Sequence, residues 1–439
     1  MNAKENLMQN GICVPEILLP KDTPISKWAV IACDQYTQDR EYWQRIKDNT
    51  KGFPSTLNLI FPEVYLEDPD KNQRIEKIQN TMNEYLKGVF APPVKGFIYL
   101  ERKTGFGRIR KGLVVAIDLE TYEWEPLSKA LIRATEATIL ERIPPRMEIR
   151  KGAPLELPHI MLLANDSGNI LMDCACKCGK SEGEVYSGSL MESSGEITGW
   201  KITSEENLSR ISQCIEKLKE QGKEPEGSSF LFAVGDGNHS LATAKSVWNE
   251  YKREHKDQKN LMEHPARYAL VEIVNIYDSG LTFEPIHRIL FNADTRKLID
   301  FLAKELDGDT EAVATKTELE QKVAGSKGNF GFVYTPEGKT EYILLKTGLK
   351  TLAVSALQPK LDIFIQDNPE IKIDYIHGSD EVFRLGEKDS GTGILLPPIA
   401  KDSFFSTISK GGPLPRKSFS MGEASEKRFY LEARKLFKD

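Results

Sequence analysis

The chain has 439 residues, 40% hydrophobic and 28% charged, a balance that suits about two or three domains with sizeable cores. Its formal net charge of −6 argues against a general nucleic-acid binder, which needs a basic surface to meet phosphates. No apolar run approaches the roughly 20 residues that cross a bilayer. The polar start Met1-Asn-Ala-Lys-Glu-Asn6 lacks the apolar core of a signal peptide, so the expected setting is the cytoplasm, with no membrane and no nucleic-acid partner.

Strands are expected over 28–33 and 56–61, with a helix over 39–47 between them. Ile75, Ile78, Met82 and Leu86 recur at helical spacing and predict an amphipathic helix over 70–86. Strands over 96–102 and 109–118 follow, joined by Thr104-Gly-Phe-Gly107, and a short strand covers 130–135. Strands and helices mix here without strict alternation. That predicts an α+β fold, with mixed sheets and flanking helices.

Residues 133–150 are dense in charge. Arg133, Arg142, Arg146 and Arg150 carry planar forks that suit phosphate oxygens, and Glu136 is a candidate base or metal ligand. The same spacing also fits a solvated helix with ion pairs four residues apart. Further strands are expected over 158–164, 169–172 and 184–190. Thr203-Ser-Glu-Glu206 reads as a capping box before a helix with Leu208, Ile211, Ile215 and Leu218 on one face. Cys174, Cys176 and Cys178 are three of the six cysteines. No second C-x-x-C pair accompanies them, which disfavours zinc. On a strand the three thiols share one face and act as small buried hydrophobes.

The densest chemistry lies in Phe230-Leu-Phe-Ala-Val-Gly-Asp-Gly-Asn-His-Ser240. It reads as a buried strand over 230–234, a turn with Gly235 and Gly237, and a helix opening near Ser240. Leu241, Ala244, Val247, Trp248 and Tyr251 make that helix's apolar face. Amides and dipole at such a helix start hold phosphate. Asp236, Asn238, His239 and Ser240 add a carboxylate, an amide, an imidazole and a hydroxyl. Asp, Asn and Ser are also ordinary caps, so a well-capped helix stands as the alternative.

Downstream, a strand is expected over 267–277. His287-Arg288 is either a second site element or a satisfied structural pair. Residues 292–370 read as an accessory subdomain, with helices over 295–306 and 317–323, strands over 330–334 and 342–346, and a longer helix from Ala353. Gly411 to Met421 forms a constrained loop whose Arg416, Lys417 and Ser418 can hold an anion. A last helix is expected over 423–437.

Four of these segments, in order, resemble the domain-of-unknown-function family 1015. The family's Ala-Asp-Gly-His-His-Arg-Tyr element is similar to Gly235-Asp-Gly-Asn-His-Ser-Leu241, with Thr243-Ala244 in step. Its His-Glu-x-Thr element looks like Thr135-Glu136-Ala137-Thr138, and the following arginine like Arg146. Its Pro-x-His-Arg matches Pro285-Ile-His-Arg288, and its Pro-x-Lys-Ser-Thr resembles Pro415-Arg-Lys-Ser-Phe419. The central element is also similar to that of the ParB/sulfiredoxin superfamily, which includes free-serine kinases. No cysteine lies in 235–241 and no helix-turn-helix is evident, so neither sulfiredoxin nor DNA-partition chemistry fits.

The resemblance implies a ParB/sulfiredoxin-like core and a nucleotide-binding phosphotransferase acting on a small hydroxyl metabolite, serine or, in the reverse direction, phosphoserine. The alternative is a non-catalytic protein that responds to nucleotide or phosphate. Glu136 is the expected base, Asp236 a Mg²⁺ ligand or acceptor-positioning group, and His239 a phosphate contact or proton shuttle. ATP or ADP phosphates are expected at Gly235, Gly237, Asn238 and Ser240, with Arg133, Thr138, Arg146 and Arg150, while His287, Arg288, Lys417 and Ser418 support from further out. Asn238 and Ser240 replace the family's histidine and arginine, so a cation must come from Arg133, Arg146, Arg150 or Lys417. The expected segments are an N-terminal domain 1–130, the core 131–291, the accessory subdomain 292–370, and a segment 371–439 packing back on the core.

Overall fold

The computed structural model describes residues 2–138, 141, 143–388 and 391–437. Ten strands make one sheet: β1 (Ile12–Cys13), β2 (Phe97–Thr104), β3 (Ile109–Asp118), β4 (Tyr122–Glu123), β5 (Ile132–Ala134), β6 (Met161–Ala164), β7 (Glu184–Ser189), β8 (Gly195–Ile202), β9 (Phe232–Asp236) and β10 (Tyr268–Asn275). They lie in the order β7-β8-β2-β3-β10-β6-β9-β5-β4, with β1 beside β3. Most neighbours are antiparallel, but β6 is parallel to β10, and β5 is parallel to both β9 and β4. The fold is α+β with mixed sheets.

This sheet belongs to a first unit made of residues 1–281 and 423–439. Strands from both sides of residue 130 share it, so the expected boundary there runs through one body. Its middle strands are buried end to end, as in Leu113–Ile117, Leu162–Ala164 and Phe232–Val234. Burial on both faces requires continuous apolar runs rather than alternation, and each such side chain contributes about 1.5–3 kcal/mol. Helices of this unit are α1 (Ala3–Gln9), α2 (Ile25–Trp28), α3 (Arg40–Thr50), α4 (Lys71–Leu86), α5 (Ile143–Arg150), α6 (Ile170–Glu182), α7 (Glu205–Gln221) and α8 (Asn238–Glu254).

Three expected elements take another form, each for a local reason. The stretch 169–172 opens α6 instead of a strand, because the Asp166 carboxylate accepts the amides of Ile170 and Leu171 at 3.0 and 2.9 Å. Residues 56–59 form a 3₁₀ turn capped by Ser55, with the Thr56 hydroxyl donating to the Trp28 carbonyl at 2.9 Å. The tail over 423–437 is mostly extended. Phe429–Tyr430 pairs with Val30–Ile31, and Arg434–Lys435 pairs with Leu155–Glu156. The expected capping box is replaced by a single cap one residue on: Ser204 caps α7 by accepting the Asn207 amide, while the Glu182 carboxylate takes the amide and hydroxyl of Thr203.

The second unit, residues 282–422, carries β11 (Phe283–Phe291), β12 (Asp309–Val313), β13 (Phe330–Tyr334), β14 (Glu341–Lys346), β15 (Lys372–His377), β16 (Gly391–Leu395) and β17 (Phe419–Met421). The order is β12-β14-β13-β16-β11-β15, with β17 beside β11. Helices α9 (Thr295–Glu305), α10 (Lys316–Ala324), α11 (Ala353–Asp367), α12 (Ser379–Gly386) and α13 (Lys401–Gly411) complete it. The expected subdomain 292–370 is thus the larger part of a unit that continues to Gly422, and within the expected segment 371–439 only 423–439 belong to the first unit. Among the described residues, no helix is long and apolar enough to cross a membrane.

Candidate functional site

The strand and helix at the motif both reach two residues further into it than the spacing predicts. Strand β9 ends on Gly235-Asp236, and α8 starts at Asn238. Gly237 joins them at φ 80°, and a Cβ there would lie 3.1 Å from Cγ1 and 3.2 Å from Cα of Ile160. Only glycine takes that conformation in that space without strain. The N-cap of α8 is Gly237, which has no side chain to cap the first-turn amides. The 17-residue helix directs its positive end at the turn.

Strand β5 runs parallel to β9, pairing Ala134 with Val234. Two residues beyond that pair stand Glu136 and Asp236, at the carboxyl ends of adjacent parallel strands, where ligands of open sheets collect. A hydrogen-bond loop locks the two ends together. The Thr135 amide donates to Asn238 Oδ1 and Asn238 Nδ2 donates to Thr135 Oγ1, both at 3.2 Å, while Thr135 Oγ1 donates to the Val234 carbonyl at 2.5 Å. The Asn238 side chain therefore holds Thr135, and with it the backbone next to Glu136. It does not face the turn as a phosphate ligand.

A cation from the tail stands beside the turn. Lys427 Nζ lies 3.4 Å from Asp236 Oδ2, and Asp236 Oδ1 accepts the Gly237 amide at 2.9 Å. Lys427 is placed by its neighbours' backbone: Arg102 donates to the carbonyls of Ser425 and Lys427, and Arg110 to that of Glu426. Next in sequence, Arg428 is anchored to Glu272 at 2.9 Å and Glu432 at 2.8 Å, all nearly fully buried. Lys427 also acts on Asp34, whose carboxyl burial tends to raise; His159, a bond from Gln35 and Lys427 outweigh that and hold it below the usual range. His159 Nε2 is 3.6 Å from Asp34 Oδ2, and its Nδ1 is 2.7 Å from the Tyr430 hydroxyl. Asp34, His159, Lys427 and Tyr430 belong to none of the motifs that the sequence shows. They come from distant stretches, and the only signal is the short Phe429-Tyr430 strand-forming pair.

The arginines divide. Arg133 is buried and donates both ends of its fork to Glu224 at 2.9 and 2.6 Å. Arg150 and Arg434 share the buried Glu156, at 2.5 and 2.6 Å. Both Arg133 and Arg150 are thus committed to structural carboxylates rather than to phosphate. Arg146 pairs with Glu63, whose amide donates to the Cys33 carbonyl at 2.8 Å, so it sits beside the Asp34 cluster. Arg142 lies outside the described residues. Thr138 Oγ1 is buried with no hydrogen-bond partner among the described residues. His239 and Ser240 occupy the first turn of α8, half-buried, and the His239 carbonyl accepts from Thr243 Oγ1.

His287, Arg288, Lys417 and Ser418 belong to the second unit. His287 is buried and its Nδ1 accepts the Leu396 amide at 3.0 Å. Arg288 donates to Gln358 Oε1 at 3.0 Å, Ser418 Oγ to the Pro415 carbonyl, and Lys417 is exposed at φ 57°. Burial first, then Arg288 and His377, lower the His287 pKa from 6.5 to about 4. The depressed value has a defined consequence. The unfolded chain takes up the proton first, so the second unit should lose up to about 3 kcal/mol as pH falls from 6.5 to 4, and nothing above 6.5. Calorimetry from pH 7.5 to 4 reads this, and His287→Asn should flatten the dependence.

The profile of a family described as "Protein of unknown function (DUF1015)" matches residues 16–364. The chain belongs to this family. The match includes Glu136 and Asp236 but stops short of Lys427. No curated protein matches the sequence. Among solved structures, a conserved hypothetical protein from Pyrococcus furiosus is 13% identical, covering 74% of this chain and 97% of that chain at a TM-score of 0.36. A free serine kinase variant in complex with AMP is 12% identical over 74% and 92%, at a TM-score of 0.39. SbnI with a C-terminal truncation, from Staphylococcus aureus, is 9% identical over 72% and 85%, at 0.38.

Proposed function

We propose that this protein is a nucleotide-dependent phosphotransferase acting on a small hydroxyl metabolite, with serine or phosphoserine as the first candidate. One observation carries the reading: Lys427 stands on Asp236 at the uncapped start of α8, where the motif itself lacks a cation. Amides of the first turn and the Lys427 ammonium would together hold phosphate oxygens. Glu136, at the end of the adjacent parallel strand, is the assigned base. It would take the proton from the acceptor hydroxyl as that oxygen bonds to phosphorus and the bond to the nucleotide breaks. Lys427 would neutralise charge on the transferring group.

The donor set also suits Mg²⁺. The ion needs only one or two carboxylates when phosphates and water complete its shell, and Asp236 would hold it. Bound Mg²⁺ would supply further charge neutralisation at the phosphates. His239 would contact phosphate or pass on a proton.

A thermal-shift series with ATP, ADP, CTP, pyrophosphate, serine and phosphoserine, each with and without Mg²⁺, tests the reading. A ligand at a hundred times its dissociation constant adds about 2.7 kcal/mol to the folded state. Stabilisation by a nucleotide, abolished in Asp236→Ala, is the expected result. If no phosphate compound shifts the wild-type protein, the proposal fails.

A further inference from the structure

Away from the motif, two thiols share one face of α6. Because 170–182 is helical, Cys174 and Cys178 stand one turn apart, and their sulfurs are 3.9 Å from each other. Both line an open groove with Lys177 and Arg210. Both are free thiols, Cys174 exposed in part and Cys178 buried. Cys176 leaves that face, and its sulfur is 4.0 Å from Glu101.

The helix decides what such a pair can do. Residues four apart on a helix keep their Cβ atoms about 5–6 Å apart, whereas a disulfide needs roughly 3.5–4.5 Å. The two thiols therefore cannot close on each other while α6 stays helical. A metal ion between them demands no such approach. Two metal–sulfur bonds of about 2.3 Å hold sulfurs up to roughly 4.6 Å apart. A separation of 3.9 Å already lies within the span of one bent sulfur–metal–sulfur bridge.

Ligand count and charge select the ion. A structural zinc site takes four ligands. Among the described residues, no third His, Cys, Asp or Glu offers a ligand atom within 4.8 Å of both sulfurs. Two cations line the groove, so a loaded site that ends up negative suits it best. Two thiolates around a divalent ion leave no charge for Lys177 and Arg210 to meet, but around a monovalent ion they leave one negative charge. Of the ions that soft thiolates select, Cu(I) is the monovalent one.

We propose that Cys174 and Cys178 bind one Cu(I) ion as a two-sulfur bridge along α6. Each S–H bond breaks as its sulfur–copper bond forms, two protons go to solvent, and no electron is transferred. The site is independent of the phosphotransferase reading.

Full-length reduced protein, kept from oxygen and given Cu(I) as its bicinchoninate complex, tests this, because the colour fades as the protein withdraws the ion. The wild type should withdraw one equivalent, and X-ray absorption of the product should show two sulfur neighbours. Cys174→Ser alters a part-exposed position, and Cys178→Ala keeps a small apolar side chain in the core. Each should weaken binding by more than the roughly 100-fold that loss of an outer partner costs, with tryptophan fluorescence checking that the variants are folded. Cys176→Ser and Cys214→Ser should bind as the wild type does. No withdrawal by the wild type, or undiminished withdrawal by Cys174→Ser, overturns the inference. Loss in Cys214→Ser also overturns it, since the site would then need a third sulfur.

Discussion

Arg428→Met is expected to destabilise the first unit by about 3–5 kcal/mol. The Arg428 side chain is 3% exposed and bonds Glu272 and Glu432, themselves 2% and 1% exposed. It also donates to the Pro158 carbonyl at 2.6 Å. Removing the guanidinium leaves two carboxylates in the interior with their main partner gone, and that uncompensated charge sets the cost. The neighbouring Arg110 softens the loss only in part, since its Nε is 3.6 Å from Glu272. Arg45→Met is the control. Its pair with Glu192 is exposed, and such pairs contribute about 0.2–1 kcal/mol. All five tryptophans lie in the first unit, so their fluorescence during urea unfolding reports that unit alone. A cost near that of Arg45→Met would show that the buried cluster does not hold the tail.

Glu136→Gln is expected to lower turnover by about 10²–10⁴-fold, the range for loss of a positioned base, while nucleotide binding stays intact. Glutamine keeps the shape and removes the proton acceptor. The Thr135–Asn238 bonds that fix the adjacent backbone involve neither the Glu136 side chain nor its charge. A binding titration and a turnover assay on the same preparation separate the two effects. Unchanged turnover would remove Glu136 from the mechanism. Loss of binding with turnover would move it from base to ligand.

The sequence exposes what short-range physics decides. Helices α4 and α7 follow from apolar spacing, and β3 and β13 from continuous apolar runs, because those patterns depend on residues a few positions apart. The Gly235–Ser240 turn was legible for the same reason, to within two residues. What it hid depends on distant partners. Residues 423–437 have helix-forming composition, yet backbone pairing with 18, 30–31 and 155–156 draws them out straight. Tertiary pairing outweighs a propensity of a few tenths of a kcal/mol per residue. The same long-range pairing concealed Lys427, since a helix over 423–437 gives no register that brings this one lysine to the motif. Arg133 and Arg150 misled in the opposite direction. Their carboxylate partners, Glu224 and Glu156, lie outside the i,i+4 windows in which ion pairs can be read. Cys174 and Cys178 share a face that Cys176 leaves, because Asp166 opens a helix over 170–182 and its period is 3.6 rather than 2.

The most direct test of the central claim is the affinity of Mg²⁺–ATP for wild-type protein and Lys427→Met, measured by titration calorimetry. Arg428 and the backbone bonds from Arg102 and Arg110 hold the tail without the lysine side chain, so tryptophan fluorescence should show the variant folded. A charge-assisted bond contributes about 1.5–3 kcal/mol, so the account predicts that binding weakens by roughly 10- to 150-fold. Equal affinity in the two proteins would contradict it and remove phosphate from the start of α8.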